Sequence, residues 1–209
     1  MHGRQARRGK CCGVGIVITD DRHVSGHIDT GMLKIRERAY RHLVKQLKPP
    51  RTMSRKYLAI TFRLPKRIPG SEVSGDGLSG LIELPLGRHP HKRTRMSVLK
   101  EGGKEASTSW RVREVLAAGY LLEAELSTGR THQIRVHLSH CGAAIAGDPT
   151  YGSLPASLAP RLMRAVARFQ RQALHASALG FVHPTQQKTV QFTSPIPPDM
   201  KILLDAFRD

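Results

Sequence analysis

The sequence predicts an α+β domain. Two observations carry this: stretches with β-branched and aromatic alternation come in clusters, and the few amphipathic helical periods stand between or after those clusters instead of alternating with them. The size agrees, since 209 residues with 39% hydrophobic content suit one domain, or one and a fragment, with a sizeable core. No apolar run approaches membrane-spanning length.

Taken in order, residues 1–14 are basic and Gly-rich and are expected to be a poorly ordered N-terminus, with one domain over 15–209. Residues 37–48 read as a helix. Tyr40, Leu43, Val44 and Leu47 fall at i, i+3, i+4, i+7, Arg38, Arg41, Lys45 and Lys48 form a cationic outer face, and Pro49-Pro50 ends it. Residues 55–63 alternate as a strand, and residues 64–80 are a Pro/Gly/Ser-rich loop. Strands over 109–112 and 119–126 are expected to pair. A second helix is expected over 156–173. Its apolar face is Leu158, Leu162, Val166 and Phe169, and its second face carries Arg161, Arg164, Arg168 and Arg171 without acidic partners. Strands near 178–183 and 189–194 and a helix over 199–207 complete the chain.

The formal net charge is +18. Such an excess works against a compact state unless a polyanion neutralises it, and phosphate backbone is the expected partner. No basic amphipathic segment is strong enough to favour an anionic membrane. Three cysteines, with Cys11 and Cys12 adjacent and Cys141 apart, form no pairing framework or zinc pattern, which points to a reducing compartment, expected to be the cytoplasm. The Arg-rich, acid-poor start (Arg4, Arg7, Arg8, Lys10) leaves organelle targeting as the alternative. His132, His137 and His140 do not have metal-ligand spacing, so no metal is expected.

The organising stretch is Ser127-Thr128-Gly129-Arg130-Thr131-His132-Gln133-Ile134-Arg135-Val136-His137-Leu138, followed by Gly147-Asp148-Pro149-Thr150-Tyr151-Gly152. Thr128-Gly129 reads as a turn using the freedom of glycine at positive φ, with Thr131 as N-cap of a helix whose stripe is Ile134, Leu138 and Cys141 and whose stop is Gly142. The rival is a strand with Ile134, Val136 and Leu138 on one face. Arg135 lies beside the stripe, where a guanidinium needs an acceptor, a bidentate carboxylate being the strongest.

This stretch resembles the motif of the RluA-type RNA pseudouridine synthases, enzymes that isomerise uridine in ribosomal or transfer RNA without a cofactor. The segment Gly15-Ile16-Val17-Ile18-Thr19-Asp20-Asp21-Arg22-His23-Val24-Ser25-Gly26 is similar to the family's Gly-Ile-Val-His-Arg-Leu-Asp-Arg-x-x-Ser-Gly and aligns its catalytic aspartate with Asp21. The family's His-Arg-Leu is replaced by Ile18-Thr19-Asp20, and Asp29 is a displaced alternative. Tyr57, in Arg55-Lys56-Tyr57-Leu58-Ala59, matches the tyrosine of the family's Lys-x-Tyr-Leu-Ala strand, which stacks on the target base; residues 81–88 resemble the family's strand and Pro-Leu-Gly-Arg turn; Gly103-Lys104-x-Ala106-x-Thr108 and Leu174-His175-Ala176 match shorter motifs, with His175 read as structural.

The resemblance implies a mixed, largely antiparallel sheet flanked by helices around a central RNA-binding cleft, and a domain that lacks the family's N-terminal strands. It implies catalysis by Asp21, Tyr57 and Arg135, with Arg135 pairing Asp21. The residues expected to contact RNA are Arg88, Lys92, Arg93 and Arg95 in a basic segment, Arg130 and His132 in the motif, and Arg161, Arg164 and Arg168 on the second helix. The implied chain is a monomer acting on RNA with no membrane partner. The competing expectation is a non-enzymatic RNA-binding protein on the same scaffold, its aspartate motif decayed.

Overall fold

The structure is a computed structural model; it describes residues 15–18, 24–28, 31–35 and 37–209, with side chains from Ala39 onward. Strands β1 (Gly15–Ile18), β2 (Val24–Ile28) and β3 (Gly31–Ile35) form an antiparallel meander. Helix α1 (Glu37–Gln46) follows, then β4 (Ser54–Thr61), β5 (Ser71–Val73), β6 (Ser79–Glu83), β7 (Leu86–Arg88), β8 (Met96–Val98), β9 (Ser107–Leu116) and β10 (Gly119–Leu126). The chain continues through α2 (Gln133–His140), α3 (Pro160–Phe169), β11 (Leu174–Val182), β12 (Thr189–Thr193) and α4 (Pro198–Arg208).

The main sheet has seven strands in the order β12-β11-β4-β10-β9-β6-β5. Every neighbouring pair is antiparallel, so the mixed sheet expected from the sequence is uniform among the described residues. The α+β class stands. Three local expectations change. The 64–80 loop contains the edge strand β5, which Ser71 and Val73 pair to β6. The Pro-Leu-Gly-Arg turn is strand β7, paired with β8 so that Arg88 faces Met96 across the ladder. The second helix is shorter than 156–173: Pro160 opens it at a position where its missing N–H costs nothing, and Gln170 closes it in the left-handed region.

The core joins Ala59, Ile60, Leu122 and Ala124 of the central strands to Ile134 and Leu138 of α2, Leu162, Val166 and Phe169 of α3, and Met200, Leu203, Leu204 and Phe207 of α4. A satellite cluster seats α1 on the far side of the sheet through Leu43, Met53, Leu179 and Phe181. There Gln46 takes the place of a strand residue: its Nε2 donates to Val182 O at 2.8 Å and its Oε1 accepts from Val182 N at 2.8 Å. Cys141 packs as a buried apolar group, as expected. His175 is buried and bonds Ser194 O through Nε2 at 3.1 Å, a structural arrangement.

Candidate active site

The central stretch forms a helix, α2, and the strand alternative is excluded. Its C-terminus is closed by paired amides: Gly142 N donates to Ser139 O at 3.1 Å and Ala143 N to Leu138 O at 2.8 Å, with Gly142 at φ +79°. The N-terminus differs from expectation. The residue before the helix is His132, in the left-handed region at φ 57°, and no side chain caps the helix from that position. Thr131 is therefore not the cap.

Gln133 holds the entry instead. Its Oε1 accepts from Thr128 Oγ1 at 2.7 Å and from Arg130 N at 3.0 Å, while its Nε2 donates to Ser107 O and to Thr108 Oγ1, both at 2.9 Å. Thr108 Oγ1 lies 2.9 Å from His137 Nδ1, and His137 Nε2 lies 3.0 Å from Leu84 O. A carbonyl only accepts, so His137 carries its proton on Nε2 and receives the Thr108 hydroxyl at Nδ1. Burial pushes the His137 pKa down to about 4 despite the Leu84 carbonyl. Every polar atom of this buried network has a partner, which fixes the motif loop onto β9.

Gly129 serves a different need from the one its sequence context suggests. It is not among the glycines at positive φ; a Cβ there would lie 2.5 Å from Arg55 Nη1. Arg55, on β4, reaches under the loop and donates from Nη2 to Thr128 O at 3.0 Å and Leu126 O at 3.3 Å. Alternation along β4 puts Arg55 and Tyr57 on one face. Tyr57 is flanked in register by Ala124 on β10 and Ala176 on β11, two side chains too small to cover a ring. Burial raises the Tyr57 pKa and Arg55 opposes this, leaving a neutral phenol.

Arg135 has its carboxylate, and it is Asp148. Nε donates to Oδ2 and Nη2 to Oδ1, each at 2.7 Å, in the bidentate geometry that a guanidinium favours. Asp148 Oδ1 also accepts from Thr150 N at 2.9 Å and Tyr151 N at 3.0 Å. Burial disfavours the charged carboxylate, but Arg135 and the two amides outweigh it and hold the pKa below the usual range. The Arg135 side chain is 11% exposed and that of Asp148 0%, so Asp148 orients the guanidinium without itself being accessible to a substrate. The partner expected from the sequence, Asp21, lies outside the described residues, as does Asp29.

Tyr151 completes the arrangement. The Arg135 guanidinium carbon stands 4.9 Å from its ring centroid. Its hydroxyl receives Met96 N–H at 2.8 Å and lies 3.0 Å from His132 Nδ1. Desolvation, followed by repulsion from Arg135, lowers the His132 pKa, while Asp148 opposes the shift.

The predicted cationic residues fall into separate groups. Arg88, Lys92, Arg93 and Arg95 lie on the arm between β7 and β8 and its flanks, where Arg88 Nη1 braces Arg93 O at 3.1 Å. Arg130 is exposed and donates from Nε to Glu105 O at 3.0 Å, beside a recess of about 380 Å³ lined by Arg51, Glu83, Glu105, Ser107 and Thr128. The four-arginine stripe does not survive. Arg161 pairs with Asp209, and Arg171, beyond the end of α3, forms a bidentate pair with Asp199 at 2.8 and 2.9 Å. Arg164 and Arg168 are exposed and have no ion pair among the described residues. Among these residues no cluster of three His, Cys, Asp or Glu side chains could hold a metal ion.

Gln133, Arg55, Asp148 and Tyr151 are the residues to which the sequence assigned no role. The bounded signals were the polar Gln133 next to an apolar stripe and the Asp-x-x-Tyr spacing after the helix.

An antiparallel sheet carrying a Tyr on an interior strand, beside a helix that presents an oriented arginine, defines a scaffold of the pseudouridine synthase type. Two solved structures share that fold: human RNA Pseudouridylate Synthase Domain Containing 4 has a TM-score of 0.60 at 23% identity over 85% of this chain and 70% of that one. Human RNA Pseudouridylate Synthase Domain Containing 1 has a TM-score of 0.54 at 22% identity over 86% and 67%. The family model described as RNA pseudouridylate synthase matches residues 35–140, and the chain belongs to that family, in its RluA/RluD-type group. Ribosomal large subunit pseudouridine synthase D of Xanthomonas campestris pv. campestris is 40% identical over 170 residues, covering 80% of this chain and 47% of that protein. The Nitrosomonas europaea protein of the same name is 43% identical over 182 residues, covering 86% and 48%. The uncharacterized RNA pseudouridine synthase YlyB of Bacillus subtilis is 38% identical over 194 residues, covering 93% and 56%. The chain thus spans about half the length of the curated relatives it matches.

Proposed function

We propose that the chain is an RNA pseudouridine synthase acting on large-subunit ribosomal RNA, with transfer RNA as the other candidate substrate. The observation that carries the reading is Arg135, fixed on two nitrogens by Asp148 and backed by Tyr151, on a chain of this family. Isomerisation detaches uracil from C1′, turns it and rejoins it through C5, with no net redox change and no hydrolysis. It needs one placed carboxylate, a stacking surface for the detached base and a charge to keep the carboxylate ionised. Asp21 supplies the carboxylate, Tyr57 the stacking surface, worth about 1–3 kcal/mol per base, and Arg135 the charge. The arm residues Arg88, Lys92, Arg93 and Arg95 bind backbone phosphate, with Arg130 and His132 at the motif and Arg164 and Arg168 on α3.

The test is pseudouridine formation in deproteinised ribosomal and transfer RNA, with Asp21→Asn alongside. Product from the unmodified chain alone supports both the activity and the residue. Equal product from Asp21→Asn moves the role to Asp29 or Asp20. No product from either, with salt-sensitive RNA binding, makes the chain a binder and sinks the synthase reading.

A further inference from the structure

We propose that Tyr151 is a positioning residue that couples the seating of the basic arm between β7 and β8 to the orientation of Arg135; the catalytic consequence rests on the synthase reading above. Three observations place it between the two.

Every polar atom of Tyr151 is engaged. Its N–H donates to Asp148 Oδ1 at 3.0 Å, its carbonyl accepts from Ser139 Oγ at 2.9 Å, and its hydroxyl accepts Met96 N–H at 2.8 Å. The same hydroxyl lies 3.0 Å from His132 Nδ1. Met96 is the first residue of β8, immediately after the run that carries Lys92, Arg93 and Arg95. The ring packs, with Met96, against the cluster of Leu86, Ala106 and Val136 at the base of the arm and supports the Arg135 guanidinium at 4.9 Å.

One rigid side chain therefore bonds the root of the arm at its tip, carries the guanidinium on its face and ties the Asp148 carboxylate at its backbone. A phosphate backbone drawn onto the arm pulls on Met96. Through Tyr151 that pull is felt by the guanidinium that keeps the Asp21 carboxylate ionised. Two bonded contacts and a ring have little freedom to absorb it elsewhere.

Tyr151→Phe keeps the ring and deletes the hydroxyl. The probe is a stem–loop fragment of large-subunit ribosomal RNA added to the full, isotopically labelled chain. The expected results are at least tenfold faster hydrogen exchange at the Met96 amide, RNA affinity within about twofold, and loss of more than half of the RNA-induced shift of the Arg135 Nε–H resonance. In turnover, kcat falls at least tenfold while KM stays within about twofold. An Arg135 shift as large in Tyr151→Phe as in the unmodified chain overturns the coupling. If the unmodified chain makes no pseudouridine, the synthase reading fails, and the Arg135 resonance still decides the coupling. A second variant leaves Tyr151 intact: Lys92→Ala with Arg93→Ala must lower kcat at saturating RNA and diminish the Arg135 shift. A rise in KM alone makes the arm an affinity element only and overturns the proposal.

Discussion

At His137 the neutral imidazole donates to Leu84 O and accepts from Thr108, and burial holds its pKa at about 4 against an ordinary value of 6.5. The unfolded chain therefore takes up this proton before the folded one does. The stabilisation is complete above pH 6.5 and is lost progressively as pH falls toward 4, by about 3 kcal/mol in total. Urea denaturation at pH 7 and pH 4.5 should show that loss, and His137→Gln should flatten it; an unchanged pH slope in the variant would refute the assignment. Asp148 is depressed as well, so its contribution persists above the ordinary carboxylate pKa and disappears only in stronger acid. Asp148→Asn leaves Arg135 half-buried with a neutral acceptor. Breaking such a pair costs about 3–5 kcal/mol, to be read as a lower denaturation midpoint, and pseudouridine formation should drop by at least tenfold. The residue-level pattern explains what the sequence disclosed. The stripe of Ile134, Leu138 and Cys141 was legible because a helix repeats locally. The Arg135–Asp148 pair was not, because a thirteen-residue path through a turn brings its ends together. Thr131 misled because the chain turns through the left-handed region at His132 just before the helix, and the Gln133 N–H that a Thr131 cap would have taken donates to Arg130 O instead.

Among the elements, the arm between β7 and β8 and helix α3 make opposite predictions for residues that looked alike in sequence. Lys92, Arg93 and Arg95 sit on a projecting arm; replacing all three by Ala should reduce the slope of log affinity against log salt by about 2 on single-stranded RNA. On α3, Arg164→Ala and Arg168→Ala should each weaken RNA binding, whereas Arg161→Ala should leave it within about twofold, because Arg161 is engaged with Asp209. Equal effects at the three positions would restore the continuous stripe that the sequence suggested. That stripe failed because its acidic partners, Asp199 on α4 and Asp209 just after it, come from another element, and spacing within one helix says nothing about a neighbour. The strands fared better: β10 begins at Gly119 and ends at Leu126 as alternation indicated, since both faces of that strand are set by burial.

For the whole molecule, the charge of +18 and the uniformly antiparallel sheet are the two governing facts. Heparin or RNA should raise the melting temperature by relieving self-repulsion, an effect that fades above about 0.5 M salt as screening shortens to a few ångströms. The order of the sheet also bears on how the chain comes into being. Strand β4 is interior to the sheet, yet its neighbours are β10 and β11, which are made long after it. At about 5–20 residues per second of synthesis, β4 emerges and waits on the order of several seconds before β10 exists to pair with it. During that interval Tyr57, Leu58, Ala59 and Ile60 stand on a strand open along both edges. The interior placement that fixes the candidate catalytic tyrosine in the finished protein makes the same strand the one most in need of a chaperone while the chain is being born.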